Sequence, residues 1–199
     1  MFRPRDPFGH ALDDLRRRLA DGRFKAGRPI VIADEARGLR LSTTPVREAL
    51  CWLGGEGLVE RGGAGGFVSP RLDAPLIAQR YALRHLYMLQ TDGRQVEPPP
   101  AGLIIDAQPA DRLRATWRWR VHSLGDAAVA EAFDRLQEQL ARFRAAETRL
   151  FADLDAEAEA LLADGGGAAG AIAAYHVRRV TAAPMIALSA ESDGPEGEP

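Results

Sequence analysis

The amino-acid sequence predicts a mainly α-helical protein, with an N-terminal winged helix-turn-helix domain followed by a small antiparallel helical bundle. Three observations carry this. Within the first 70 residues, two short helical patterns, a third helix with an abrupt start and a β-hairpin follow in that order. A proline-rich interruption comes next, and beyond it only helical patterns occur. The chain has 199 residues and is 46% hydrophobic, enough for one large or two small domains with real cores.

The elements read in order. Residues 10–21, HALDDLRRRLAD, set Ala11, Leu12, Leu15 and Leu19 at helical spacing, with Gly22 beyond the end. Ala26-Gly27 makes a turn, and Ile30 to Ile32 reads as an edge strand because Pro29 precedes it. ADEARGL, 33–39, is a short second helix. A further amphipathic pattern runs from Pro75 to Gln90 and stops at TDGRQVEPPPAG, where Gly93 and three prolines forbid a regular helix.

Residues 111–123 and 126–163 read as helices, the second with an apolar stripe of Val129, Phe133, Leu136, Leu140, Phe143, Leu150, Leu154 and Leu161. Its 38 residues are long for one globular helix, which implies a break near 145–149. A turn at 164–170 and a last helix at 171–182 complete the pattern. The expected division is 1–72 for the winged domain and 73–183 for the helical domain, with a linker at 91–110 and a disordered tail at 184–199.

The stretch that asks for an explanation is LSTTPVREAL CWLGGEGLVE RGGAGGFVSP, residues 41–70. Ser42 and Thr44 can accept hydrogen bonds from first-turn N–H groups, and Pro45 lies where a missing N–H costs nothing. At 100° per residue Val46, Ala49, Leu50 and Leu53 share one face, with Thr44, Arg47 and Cys51 opposite. The helix start favours a phosphate, and an Arg one turn inside can reach a guanine edge. The plainer alternative is an ordinary helix whose Arg47 pairs with Glu48 or Glu35. Gly57 then ends the helix, Leu58-Val59-Glu60 forms a strand, GGAGG a turn and Phe67-Val68 the return strand. A wing tip this bare lets backbone N–H groups approach a phosphate or a minor groove.

Formal net charge is −2, yet residues 1–70 carry 12 Lys and Arg against 9 Asp and Glu while the remainder carries 14 against 19. That asymmetry fits one half that meets nucleic acid and one that does not. A single cysteine, Cys51, excludes an intrachain disulfide. MFRPRDPFGH lacks the apolar stretch of a signal peptide and no run is long enough to span a membrane, so a cytoplasmic protein is expected.

Taken together, residues 10–70 resemble the winged helix-turn-helix of the GntR family of bacterial transcriptional regulators, through LRRRLADGRFKAGRPI, LSTTPVREAL, EGLVE and GGFV in order. The resemblance implies operator binding by a homodimer on double-stranded DNA, the helix from Ser42 in the major groove and the 62–66 loop as wing. On that pattern Ser42, Thr43, Thr44 and Arg47 match DNA-contacting positions, with Gly65 and Gly66 at the wing tip. The family usually has Arg where this chain has Thr43, and often a charged wing tip. Fewer cations mean weaker binding and a shallower salt dependence. Arg37 and Arg40 either compensate or are solvated surface arginines.

LDAPLIAQRYALRHLYML, HSLGDAAVAEAFDRLQEQLARFR and ALLADGGGAAGAIAAYHVRRV resemble helices of the effector domain of the FadR-like subgroup, the FCD domain, shortened here between Gln90 and Asp111. That domain often holds a divalent metal through one acidic residue and three histidines. Carrying the spacing over places Leu113, Trp117 and Leu154 at ligand positions, and only His176 is retained, so no metal and no cofactor are expected. His122, Asp153 and Asp155 read better as surface or helix-end residues. Trp117 and His176 are candidate pocket residues for a small-molecule effector, with Trp119, Tyr87 and Phe133 as possible walls. Aromatics at helical spacing more often form a core or a dimer contact.

An enzyme is not expected. Cys51 has no histidine nearby in sequence, no serine has a G-x-S-x-G setting, and GGAGG lacks phosphate-loop spacing. The rival reading is a winged-helix protein-protein interaction module that has lost specific operator binding.

Overall fold

The structure, a computed structural model, describes residues 6–63, 65–71, 73–94, 100 and 107–191. The chain divides into two compact units, Met1–Leu72 with Ala141–Ala145 and Leu188–Pro199, and Asp73–Leu140 with Ala146–Ala187.

The first unit opens with α1, Pro7–Ala20, three residues earlier than the periodicity suggested. Asp6 supplies the reason: its carboxylate accepts from Gly9 N at 2.9 Å, and Pro7 needs no donor in the first turn. Strand β1 is Pro29–Ile30, shorter than expected because Ile32 already belongs to α2, Ile32–Leu39. Helix α3 spans Thr43–Gly55. Leu58 and Val59, expected to start the hairpin, are instead buried in the connection, and the paired residues are β2, Glu60–Arg61, and β3, Phe67–Val68. The sheet is antiparallel in the order β1-β3-β2, with Ile30 and Arg61 both opposite Phe67.

This is a winged helix. Its core takes Leu15 and Leu19 from α1, Ala36 from α2, and Val46, Ala49, Leu50 and Leu53 from α3, closed by Ile30, Leu58, Val59 and Phe67 from the sheet side. The four α3 residues are fully buried. At roughly 1.5 to 3 kcal/mol for each large apolar side chain, that burial holds α3 in one orientation.

After β3 the described residues form helices, most of them in the second unit: α4, Ala74–Leu89; α5, Pro109–His122; α6, Ala127–Ala141; α7, Arg144–Leu150; α8, Leu154–Ala163; and α9, Ala169–Glu191. Asp73 caps α4 by accepting from Leu76 N at 3.0 Å, and Asp126 starts α6 by accepting from Val129 N at 3.1 Å. The long pattern at 126–163 breaks twice, at 142–143 and 151–153, rather than once near 145–149. Each break falls at a phenylalanine, Phe143 or Phe151, that is buried. Helix α9 continues through Pro184, which corrects the expected tail: residues 184–191 are helical, with Ile186 buried. Residues 192–199 of that tail, and 95–99 and 101–106 of the expected linker, lie outside the described residues. No helix among the described residues is long and apolar enough to cross a membrane.

Candidate functional sites

Helix α3 turns one face inward and the other to solvent. Ser42, Thr43, Thr44 and Arg47 are exposed, opposite the buried Val46, Ala49, Leu50 and Leu53. Arg47 makes no hydrogen bond or ion pair among the described residues. Glu35, a partner considered for it, is taken by Arg18 at 2.7 Å. Burial raises the Glu35 carboxyl above its ordinary pKa, and Arg18 opposes that rise.

The helix start differs from expectation. Ser42 is the N-cap residue with extended backbone, yet no side-chain hydrogen bond caps the helix. The hydroxyl of Ser42 is therefore not consumed by the first turn. Pro45 sits among the first-turn positions, where the helix needs no donor.

Two further cations flank α3. Arg40 closes α2 in the left-handed conformation, with φ 56° and ψ 36°, and is the one described residue other than glycine with a positive φ. Its side chain is exposed. Arg37 is also exposed but engages Asp34 at 2.9 Å, a surface ion pair of small worth that a phosphate can displace.

Sequence reasoning missed Arg61. Pairing with β3 places it in the wing, where its guanidinium lies 4.8 Å from the Phe67 ring centroid and Nη2 lies 3.6 Å from Cys51 Sγ on α3. Local burial gave no signal for it, because both residues of β2, Glu60 and Arg61, are exposed; only the register of two-residue strands singles Arg61 out. In the wing loop, Gly62 N donates to Gly66 O at 2.9 Å and Gly65 N to Gly62 O at 3.1 Å. Only Gly65 needs a positive φ, 78°; a Cβ at Gly63, Gly65 or Gly66 would meet open space.

In the helical unit the structure brings Trp117 and His176 together. Both are buried, and their rings stack with centroids 5.2 Å apart. Tyr175 stands edge-on to Trp117 at 4.8 Å. Their polar atoms are already engaged. Trp117 Nε1 donates to Gly166 O at 2.8 Å, His176 Nδ1 pairs with Ile172 O at 2.7 Å, and Nε2 accepts from Arg84 Nε at 3.1 Å. Burial, with Arg84 adding to it, drives the His176 pKa down to about 2, so the ring is neutral. Tyr87 packs edge-on against Phe133 at 5.8 Å.

Among the described residues no group of three or more His, Cys, Asp or Glu is arranged to hold a metal. Leu113 and Leu154 are apolar core. Of the substitutes considered, His122 faces Asp134 at 3.1 Å, and Asp153 binds Arg178 at 2.5 Å.

A three-stranded wing against three helices, joined in sequence to a helical unit, defines a class of two-part winged-helix protein. Comparison with solved structures agrees. The chain is similar to E. coli McbR/YncC, with a TM-score of 0.67 and 18% identity over 89% of this chain and 97% of that one. It is similar also to a GntR transcriptional regulator from Rhodococcus sp. RHA1, with a TM-score of 0.59 and 16% identity over 94% of each chain. The chain thus has the fold of these proteins over nearly their whole length. No protein-family model and no curated protein matches it.

Proposed function

We propose that the chain is a GntR-family transcriptional regulator that acts in the cytoplasm as a homodimer and binds double-stranded operator DNA. Residues 1–72 are the DNA-binding part, and 73–183 carry dimerisation and any response to a small molecule. Each half-site receives one α3 in the major groove. Arg47 is the base-reading cation. Ser42, Thr43 and Thr44 contact phosphates or the thymine methyl, and Arg37, Arg40, Arg61 and the wing at Gly65 and Gly66 track the backbone. The observation that carries the reading is the division of α3, whose inner face is fully buried while its outer face presents Arg47 unpartnered among the described residues.

Selection of bound fragments from random duplex DNA with the purified chain tests it. The expected outcome is an enriched palindrome, and Arg47→Ala should weaken binding to it by about 1 to 3 kcal/mol. Failure to enrich any motif removes the reading and favours a winged helix that docks on proteins.

A further inference from the structure

Besides the cations at α3 and the wing, the winged unit carries a second group: Arg23, Lys25 and Arg28 on the turn between α1 and β1, and Arg71 on the chain leaving β3. Strand register keeps the two groups apart. Pro29 stands opposite Val68 and Ile30 opposite Phe67, so residues before 29 meet residues after 68, at the end of the sheet away from the 62–66 loop. Backbone bonds fold the turn onto Ser69 there. Gly27 N donates to Ser69 O at 2.7 Å, Ser69 N to Arg28 O at 3.2 Å and Arg28 N to Lys25 O at 3.0 Å. Arg71 lies across Gly27, so close that a Cβ at that glycine would collide with its Nε. Arg142 adds a fifth cation, its Nη2 donating to Ser69 Oγ at 3.3 Å and to Pro70 O at 3.2 Å.

The arginines of α1, in the same unit, each have a carboxylate: Arg16 pairs with Glu56 at 2.8 Å, Arg17 with Asp14, and Arg18 with Glu35 at 2.7 Å. The second group does not. The side chains of Arg23, Lys25, Arg28 and Arg71 make no hydrogen bond or ion pair among the described residues, and Asp21, at the start of the same turn, pairs with none of them. Like charges on one short turn repel, so an anion that reaches them relieves that repulsion as well as gaining each attraction. A single exposed pair is worth little, but several on one tether act together.

We propose that this basic cluster is a docking surface for the acidic segment 191–199, ESDGPEGEP, of the same chain. The charges match in sign and number. The segment carries Glu191, Asp193, Glu196 and Glu198, and no Lys or Arg follows Arg179. The end of α9, from Leu188, belongs to the winged unit, and Glu191 closes that helix exposed, with no basic residue in the last turn. The helix end adds its own partial negative charge. From Glu191 to Glu198 an extended chain reaches about 23 Å, twice the radius of gyration of about 11 Å expected for a unit of this size. Docking neutralises the end of the sheet away from the 62–66 loop, which leaves the attraction of polyanions to α3 and the wing. The inference goes beyond the operator reading and does not rest on it.

The test uses the full chain labelled with nitrogen-15, with the amide shifts and heteronuclear NOEs of Gly194 and Gly197 as readouts. Both amides should move, and lose their positive NOE, as salt rises from about 20 mM to about 0.5 M and the screening length shrinks. The double variant Arg28→Gln with Arg71→Gln, two exposed positions, should hold both amides at their high-salt shifts even in low salt. Exchanging the charges checks the pairing: Arg28→Glu and Arg71→Glu combined with Asp193→Lys and Glu198→Lys should restore the salt dependence. Amides that ignore salt in the wild type, or a double Gln variant that behaves like it, overturn the proposal. Duplex DNA is the competing occupant. The double Gln variant should leave the slope of log affinity against log salt unchanged, whereas a fall of about 2 would assign the cluster to phosphates and overturn the docking. A chain that binds no duplex at all removes the operator reading and leaves the NMR result to decide this one.

Discussion

Arg61 Nη2 lies 3.6 Å from Cys51 Sγ, which ties the second wing strand to the outward face of α3 and sets a cation beside the helix. Wing and helix therefore present one continuous surface. Arg61→Ala should weaken binding to any duplex, specific or not, and reduce the slope of log affinity against log salt by about 1. Fluorescence anisotropy across a salt series measures both. An unchanged slope would show that Arg61 faces no phosphate.

Arg40 occupies a left-handed backbone position where glycine sits without strain. Arg40→Gly should stabilise the winged unit by up to about 1 kcal/mol while weakening DNA binding, opposite signs that a merely structural residue would not give. Urea denaturation and the anisotropy assay read the two effects. A rise in stability with no loss of affinity would reduce Arg40 to a surface residue.

Gly66 has room for a side chain and no positive φ. Its bareness is not demanded by the fold. Gly66→Lys should leave the unfolding midpoint nearly unchanged and tighten duplex binding, with the salt slope steeper by about 1. Equal affinity at low salt would place the wing tip away from the backbone of the DNA.

His176 remains neutral in the folded protein down to about pH 2, whereas the unfolded chain takes up its proton near pH 6.5. The unfolded state binds more protons across that window, so stability falls as pH drops below about 6.5, by up to about 1.4 kcal/mol per unit. His176→Gln keeps an acceptor for Arg84 Nε and removes the titration. Between pH 7 and 5.5 wild type should lose about 1 kcal/mol more than the variant in urea unfolding. Parallel losses would mean that the ring is protonated in place.

Much of this protein was legible from local rules. The burial of α3 on one side follows from the spacing of Val46, Ala49, Leu50 and Leu53, and the exposure of Thr44 and Arg47 follows from the same 100° step. Where the reading erred, a weak local preference met a stronger tertiary one. The last helix was expected to stop at 182, yet Pro184 removes only one donor while Ile186 beyond it is buried, so α9 runs on. The stretch 126–163 was expected to break once near 145–149, yet it breaks twice, at the buried Phe143 and Phe151, positions that helical periodicity does not mark.

The order of helices, the inward stripe of each and the outward Arg47 were determined by the sequence itself, because side-chain direction in a helix depends on position along it and little else. Arg61 and Arg84 were decided only by tertiary structure. Arg84 shares the stripe of Ile77, Tyr81 and Met88, a position from which a charge is expected to be excluded, and nothing local says what stands across from it. Its partners come from α6 and α9, Gln137 and His176, 53 and 92 residues away. Whether a cation is paired, and with what, is a property of neighbours in space.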